Sequence, residues 1–178
     1  IDNGDATLVG TWALGTTASG RYGADYNWCA QNASGGRTAT YRPTIPVTSN
    51  DWEIYTWYPA GGNRPTQAEY IVHSASGDSH VYVNQQINGG KWVPIGAYSL
   101  LEGTSGYVRI TNLGSEGKSV MADAVRFVSP SGGVDTTAPA ISGVSTTPDY
   151  VSAVIRWTTN EPATSQVEYG LTTSYGSQ

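Results

Sequence analysis

Apolar and polar residues alternate along most of the chain, and no stretch keeps an i, i+3, i+4 apolar rhythm for three helical turns. Clusters of Gly, Asn, Asp, Ser and Pro separate the alternating runs, as turns separate β-strands. Composition agrees, because 15 Val, 9 Ile and 21 Thr stand against 6 Leu. β-branched side chains pack better on a pleated sheet than in a helix. The chain is therefore predicted to be all-β.

The alternating runs before residue 130 predict nine short strands. Many short strands separated by turn signals favour a two-sheet β-sandwich of the jelly-roll kind. The predicted strands are Thr7–Leu14, Tyr26–Ala30, Arg37–Pro43, Asp51–Tyr58, Gln67–Ser74, Ser79–Gln86, Trp92–Leu101, Gly106–Leu113 and Ser119–Val128.

Two predicted strands carry unusual faces. Asp51–Tyr58 has aromatic residues on both faces, so it is either covered on both sides or presents aromatic side chains to solvent. Asp123 shares a face with Val125 and Phe127. A carboxylate on a core face needs a hydrogen-bond donor or loses its charge, so Asp123 is expected to accept from a backbone N–H group of a turn.

Charge and composition exclude several classes of function. The net charge is −5 and only two lysines occur, Lys91 and Lys118, so neither a nucleic-acid surface nor a polybasic membrane patch is expected. No apolar run is long enough for a membrane-spanning helix. The single cysteine, Cys29, cannot form an internal disulfide and is expected to be a small buried side chain.

Residues 131–139 contain Gly, Ser, Thr, Asp and Pro with one bulky apolar residue, Val134, and are interpreted as a linker. Residues 1–130 are therefore expected to form one domain. A new pattern follows in residues 140–178, where Ala153-Val154-Ile155-Arg156-Trp157 alternates and Val167-Glu168-Tyr169-Gly170 begins another strand.

With Glu161-Pro162-Ala163-Thr164-Ser165 between them, these motifs resemble the opening of a bacterial fibronectin type III domain. The resemblance implies a partial immunoglobulin-like segment that covers the first three strands of such a domain. A complete domain needs about seven strands. The missing strands are expected from a continuation of the chain or from another subunit, because three strands alone leave an apolar face and an open edge.

The first domain resembles the accessory domain found at the C-terminus of golvesin and in xanthan lyases. That family is a β-sandwich usually described as carbohydrate-binding-like. The resemblance rests on Gly10-Thr11-Trp12, Tyr22-Gly23-Ala24-Asp25-Tyr26, Trp52-Glu53-Ile54-Tyr55-Thr56-Trp57-Tyr58-Pro59, Ala68-Glu69-Tyr70-Ile71-Val72-His73, Gly90-Lys91-Trp92-Val93-Pro94-Ile95-Gly96 and Ala122-Asp123-Ala124-Val125-Arg126-Phe127. It implies attachment to a secreted bacterial polysaccharide lyase or hydrolase.

No catalytic constellation is apparent in the sequence. Asp78-Ser79-His80 contains the residue types of a triad, but consecutive residues at a turn cannot adopt triad geometry. The chain has two histidines, His73 and His80, and no Cys/His spacing typical of a metal centre. The segment is therefore predicted to be non-catalytic.

Sugar rings are bound by aromatic faces together with planar polar groups, and acidic sugars add a carboxylate that matches arginine. Three loop regions place such residue types together, namely Arg21–Trp28, Trp57–Arg64 and Asn84–Gln86. The predicted ligand-binding residues are Tyr22, Tyr26, Trp28, Tyr58, Asn63 and Arg64. The alternative for each is a structural role, and Trp12, Trp52 and Trp57 are expected in the core. Asn63-Arg64 and Asn84-Gln85 are alternatively expected to tie loops to the backbone.

Asp2, Asn3 and Asp5 bring oxygen ligands together at a sharp turn, which suggests a structural calcium site. The alternative, an Asx turn capped by its own side chains, is favoured. No other cofactor is predicted.

The predicted function is that of a non-catalytic, extracellular accessory module that binds polysaccharide, acidic polysaccharide included, and tethers a linked carbohydrate-active enzyme to it. The alternative is a structural or adhesive module, a spacer or assembly subunit, whose unfinished C-terminal strands pair with another chain.

Overall fold

The structure, a computed structural model, describes residues 1–130, 139–160, 163, 165–167 and 169. The described residues divide between two compact units, Ile1–Gly133 and Val134–Gln178. They contain β-strands and one short 3-10 turn, Asn3–Asp5, and no helix among them is long and apolar enough to cross a membrane. The strands are β1 Thr7–Val9, β2 Ala13–Gly15, β3 Tyr26–Ala30, β4 Thr38–Tyr41, β5 Ser49–Trp57, β6 Ala68–Ser74, β7 Gly77–Val83, β8 Val93–Leu100, β9 Tyr107–Thr111, β10 Ser119–Ala122, β11 Ala124–Val128, β12 Ile141–Pro148 and β13 Ala153–Thr159.

The first unit is a β-sandwich, as predicted. A five-stranded antiparallel sheet has the order β1-β4-β9-β6-β7, and two three-stranded sheets have the orders β10-β3-β2 and β11-β5-β8. Inward-facing side chains of all three sheets meet in one hydrophobic core. Its largest fully buried members include Tyr41, Tyr70, Ile54, Leu100 and Ile110.

Seven of the nine predicted strands are present as single strands within a few residues of the predicted bounds. The prediction of one strand over Thr7–Leu14 is wrong. Gly10 adopts φ of +73°, a left-handed conformation that breaks the extended chain. β1 therefore joins the five-stranded sheet, while β2 pairs with β3.

The prediction of one strand over Ser119–Val128 is also wrong. The chain leaves the sheet at Asp123, so β10 pairs with β3 and β11 pairs with β5. Asp123 is fully buried and its Oδ2 accepts a hydrogen bond from the backbone N–H of Tyr22 at 2.9 Å. The expectation that Asp123 accepts from the backbone of a turn is confirmed.

In the second unit, β12 and β13 form an antiparallel pair. Ile155 and Trp157 alternate as predicted and are half-buried, whereas Ile141 and Val144 are 63% and 64% exposed. The predicted third strand lies largely outside the described residues, which include Val167 and Tyr169 of it. Val167 is half-buried and Tyr169 is 60% exposed. The fibronectin type III identity of this unit stays a prediction.

Candidate functional site

An open groove lies on the face of the β10-β3-β2 sheet that Trp28 occupies, and its volume is about 560 Å³. Strand register builds its floor, since Trp28 on β3 stands between Ala13 on β2 and Met121 on β10. Tyr26 lies two residues earlier on the same face and opposite Gly15. The side chain of Trp28 is 36% exposed, whereas that of Tyr26 is buried and only 6% exposed. An accessible indole thus forms the floor of the groove.

The loop that carries Asn63 and Arg64 forms one wall of the groove. It is attached to the edge of β10, because the backbone N–H of Ser119 donates to the Asn63 carbonyl oxygen at 3.0 Å. Lys118 Nζ donates to the carbonyl oxygen of Gly62 at 3.1 Å, and Gln86 Nε2 donates to that of Arg64 at 2.9 Å. These bonds hold the planar polar groups in place beside the indole.

The Arg64 guanidinium is oriented before any ligand arrives. Its Nη1 donates to Asn63 Oδ1 at 2.5 Å, and its Nε lies 3.4 Å from the Pro59 carbonyl oxygen. Its Nη2 has no hydrogen-bond partner among the described residues. Burial lowers the pKa of Arg64, but a guanidinium keeps its proton in folded proteins. The groove therefore presents a fixed positive charge with a free donor.

Thr16, Thr17 and Ala18 form the opposite wall. The chain then continues to an aromatic cluster on the exposed face of the β11-β5-β8 sheet. There Tyr22, Trp57 and Trp92 contact one another, with ring centroids 5.2–5.5 Å apart and tilted or edge-to-face planes.

Arg126 lies beside this cluster. Its Cζ is 4.6 Å from the centroid of the Tyr55 ring and 4.8 Å from that of Trp92. Register explains the position, because Arg126 on β11 is directly opposite Tyr55 on β5. We call Tyr22, Tyr55, Trp57, Trp92 and Arg126 the aromatic–arginine surface.

The structure brings four predicted ligand-binding residues together, since Tyr26, Trp28, Asn63 and Arg64 all line the groove. Tyr22 lies outside it, on the aromatic–arginine surface. The prediction that Tyr58 contacts a ligand is wrong. Its side chain is 1% exposed, and its hydroxyl lies 3.2 Å and 3.0 Å from the carbonyl oxygens of Asn84 and Ile87.

The expectation that Trp57 lies in the core is also wrong. Trp52 and Ile54 face the core, whereas Tyr55 and Trp57 face outward. Of the two interpretations of Asp51–Tyr58, the one that presents aromatic side chains to solvent is therefore correct. The aromatic residues on both faces of that strand were the sequence feature from which this surface could have been predicted.

The tie between Gln85 and the backbone is confirmed. Gln85 Nε2 donates to the Met121 carbonyl oxygen at 2.8 Å, and its Oε1 accepts from the Met121 N–H at 2.9 Å. Asn84 Oδ1 accepts from the backbone N–H of Gln86 at 2.9 Å. Cys29 is 2% exposed as expected, and burial raises its pKa to about 11, which keeps the thiol protonated.

The 3-10 turn Asn3–Asp5 is capped by the side chain of Asp2, as in the favoured alternative, but its bond runs to the next residue and not two residues on as in an Asx turn. Asp2 Oδ1 accepts from the backbone N–H of Asn3 at 2.8 Å, and Asn3 Nδ2 donates to Asp25 Oδ1 at 2.7 Å. Asp5 is exposed. Across the described residues no group of three or more His, Cys, Asp or Glu side chains could hold a metal ion. Calcium binding by Asp2, Asn3 and Asp5 stays a prediction that this geometry does not favour.

The histidines are paired with carboxylates on the exposed face of the five-stranded sheet. His73 Nδ1 lies 2.5 Å from Asp78 Oδ1, and His80 Nδ1 lies 2.8 Å from Glu69 Oε1. Ser79 lies between Asp78 and His80 on β7 and therefore points to the opposite face of the strand. The prediction that these three residues cannot act as a triad agrees with this arrangement.

Fold and groove together define a class: a β-sandwich module with an aromatic-floored, arginine-walled groove. Residues 1–129 match the Golvesin C-terminal domain, and the chain belongs to that family. It is 38% identical over 133 residues to a xanthan lyase of Bacillus sp. (strain GL1). The match covers 72% of this chain and 14% of the relative, so the chain spans about one seventh of that relative's length.

Solved structures give the same relationship. The structure of Paenibacillus xanthan lyase is similar over 72% of this chain and 12% of its own, with a TM-score of 0.65 and 36% identity. The GH26-CBM35 β-(1,4)-mannanase of Podospora anserina matches 73% of this chain and 27% of its own, with a TM-score of 0.53. Identity to the latter is 16%, so this similarity concerns the fold alone.

Proposed function

We propose that residues 1–130 form a non-catalytic, extracellular module that binds polysaccharide in the groove and tethers a linked carbohydrate-active enzyme to it. The observation that carries the proposal is the accessible indole of Trp28 with Asn63 and Arg64 fixed beside it. An indole stacks on the C–H face of a sugar, while a guanidinium and an amide donate to hydroxyl or carboxylate oxygens. The relationship to xanthan lyases supports an acidic polysaccharide and a linked enzyme.

An open groove with one main aromatic ring implies weak binding. We expect dissociation constants between micromolar and millimolar, which correspond to about 4–8 kcal/mol. Such affinity is sufficient for a tethering module, because a linked enzyme is held near a polymer that offers many repeated sites.

Affinity electrophoresis in gels that contain xanthan, a neutral β-glucan or soluble peptidoglycan tests the proposal. We expect retardation by at least one polymer and a loss of about tenfold or more in affinity for Trp28→Ala. Tyr82→Ala is the control, because Tyr82 is 59% exposed but lies on β7, away from the groove. No retardation of the wild type by any polymer would contradict the proposal, as would equal losses for both variants.

The second candidate is an assembly role for the second unit. It is favoured by the exposure of Ile141 and Val144 on β12, since exposed apolar side chains on a strand favour pairing with other chains. Light scattering of the chain over a range of concentrations tests it, and a strict monomer at all concentrations would contradict it.

A further inference from the structure

The aromatic–arginine surface has the features of a second ligand site, separate from the groove. The groove lies on the β10-β3-β2 sheet, and this surface lies on the β11-β5-β8 sheet. The chain segment from Thr16 to Ala24 joins them. Its first residues line the groove, and its Tyr22 packs on Trp57 and Trp92.

Arg126 is the central charge of this surface. Its guanidinium lies between the rings of Tyr55 and Trp92, which fixes its position without using its N–H donors. Within the described residues Arg126 has no carboxylate partner and donates no hydrogen bond. A cation that is held by rings and retains all its donors is prepared for a planar anion, since guanidinium and carboxylate match in a bidentate pair.

The surrounding groups add donors and apolar contact. The Tyr22 hydroxyl and the Trp92 indole N–H have no hydrogen-bond partner among the described residues, and Tyr22 is 40% exposed. Trp57, by contrast, uses its indole N–H to bind the Gly20 carbonyl oxygen at 2.8 Å, which fixes the segment that carries Tyr22. The ring surfaces beside the free donors suit a saccharide rather than a bare anion.

Glu53 limits where a carboxylate can sit. It lies two residues before Tyr55 on the same face of β5 and accepts a hydrogen bond from the Tyr55 hydroxyl at 2.6 Å. An acidic sugar at Arg126 is therefore repelled from the Glu53 side. It is directed toward Trp57, Trp92 and Tyr22.

We propose that the aromatic–arginine surface is a second saccharide site that takes a carboxylate-bearing sugar, with Arg126 pairing the carboxylate. The inference rests on the proposed function and extends it, because a module with two sites on one polymer gains avidity without higher affinity at either site. It also assigns the acidic part of the ligand to a surface other than the groove.

Two-dimensional NMR of the tryptophan indole N–H signals tests the proposal, with Trp→Phe variants used for assignment. The probes are methyl β-glucuronide and methyl β-glucoside, which differ in the carboxylate. We expect the glucuronide to shift the Trp57 and Trp92 signals at millimolar concentration. The glucoside is expected to shift them at least fivefold less, and added salt to weaken the glucuronide effect.

Arg126→Gln is expected to abolish the difference between the two probes at Trp92. Arg109→Gln is the matched control, because Arg109 is also stacked on a tyrosine, 4.6 Å from the centroid of the Tyr107 ring, but belongs to the five-stranded sheet. We expect the control to respond like the wild type.

The outcomes separate this inference from the proposed function. Glucuronide shifts at Trp28 but not at Trp57 and Trp92 would overturn the second site and leave the groove in place. The second site would also be overturned by equal shifts with both probes, by an Arg126→Gln variant that still distinguishes them, or by no shift at Trp57 and Trp92. Failure of the proposed function is measured independently, as the absence of polymer retardation of the wild type.

Discussion

Asp123 is a carboxylate in the core at the junction of β10 and β11. Its Oδ2 accepts from the Tyr22 N–H, and its Oδ1 has no hydrogen-bond partner among the described residues. Burial, followed by the charges of Asp2 and Asp25, raises its pKa to about 7, against the lowering effects of the Tyr22 bond and of Arg21. The group thus favours its neutral form in the fold.

This pKa predicts a pH-dependent stability. An Asp in the unfolded chain titrates near pH 4, so between about pH 4 and pH 7 the folded state holds the extra proton. The free energy of unfolding therefore falls as pH rises through that window, by up to about 4 kcal/mol from this group. Asp123→Asn removes the titration. Urea unfolding at pH 5 and pH 8 should show the variant gaining stability relative to the wild type at the higher pH.

The control for this experiment is Asp51→Asn, since Asp51 is an exposed carboxylate at the start of β5. Its stability should follow the wild type at both pH values. If Asp123→Asn and the wild type lose stability in parallel from pH 5 to pH 8, Asp123 is not the titrating group.

Single residues also show where prediction from sequence ends. The sequence predicted the strand Tyr26–Ala30 and named Tyr26 and Trp28 as ligand-binding residues, and both line the groove. Alternation could not decide which of Trp57 and Tyr58 is buried. Aromatic residues lie on both faces of β5, and the face that is covered depends on which sheet packs against it. Arg126 contacts Trp92 because strands that are distant in sequence pair with each other. No local sequence pattern predicts that contact.

At the scale of elements, the short strand β2 shapes the groove through a glycine. A Cβ at Gly15 would lie 2.6 Å from both Cε2 and the hydroxyl oxygen of Tyr26, whose ring is packed in the core. Gly15→Ala should displace that ring, lower the unfolding free energy by about 1–3 kcal/mol and weaken polymer retardation. Thermal unfolding and affinity electrophoresis measure the two effects.

Gly62→Ala is the control for Gly15→Ala, because a Cβ there meets nothing within 4 Å. Gly62 lies on the loop that carries Asn63 and Arg64, on the other side of the groove. If any added methyl group disturbed the groove, Gly62→Ala would also weaken polymer retardation. Equal behaviour of the two variants would contradict the role assigned to Tyr26.

A buried network ties the three sheets together at Gln85. In addition to its two bonds with Met121, Gln85 Nε2 donates to the Tyr70 hydroxyl at 2.9 Å, and the Thr56 hydroxyl lies 3.2 Å from the same oxygen. These partners belong to β10, β6 and β5, one strand from each sheet. The sequence predicted the loop tie but not the link between sheets, which depends on how distant strands are assembled.

Gln85→Leu should therefore destabilise the first unit as a whole. It leaves the buried N–H and carbonyl oxygen of Met121 unpaired, which costs about 2–4 kcal/mol. Gln67→Leu, at an exposed position just before β6, should change stability by less than about 0.5 kcal/mol. Denaturant unfolding measures both, and a cost below about 1 kcal/mol for Gln85→Leu would show that the network is dispensable.

At the scale of the whole molecule, composition and alternation were enough to predict the β-sandwich. They could not predict that two long alternating segments divide between sheets. The segment Thr7–Leu14 is divided by the left-handed backbone conformation of Gly10. The segment Ser119–Val128 is divided at Asp123, where pairing with β3 ends and pairing with β5 begins. Alternation indicates which residues share a face of a strand, but it does not indicate to which sheet the strand belongs.

The division into Ile1–Gly133 and Val134–Gln178 predicts that the two units are thermodynamically separable. The core cluster lies entirely in the first unit, so a chain ending at residue 130 should keep the melting temperature of the longer chain within about 2 °C. It should also keep its polymer retardation. The longer chain, with Ile141 and Val144 exposed, should form higher-mass species as its concentration rises, and Val144→Thr should reduce them. Differential scanning calorimetry and light scattering provide the measurements. A melting temperature lowered by more than about 5 °C on truncation would mean that residues beyond 130 stabilise the sandwich, and the two units would then have to be treated as one cooperative body.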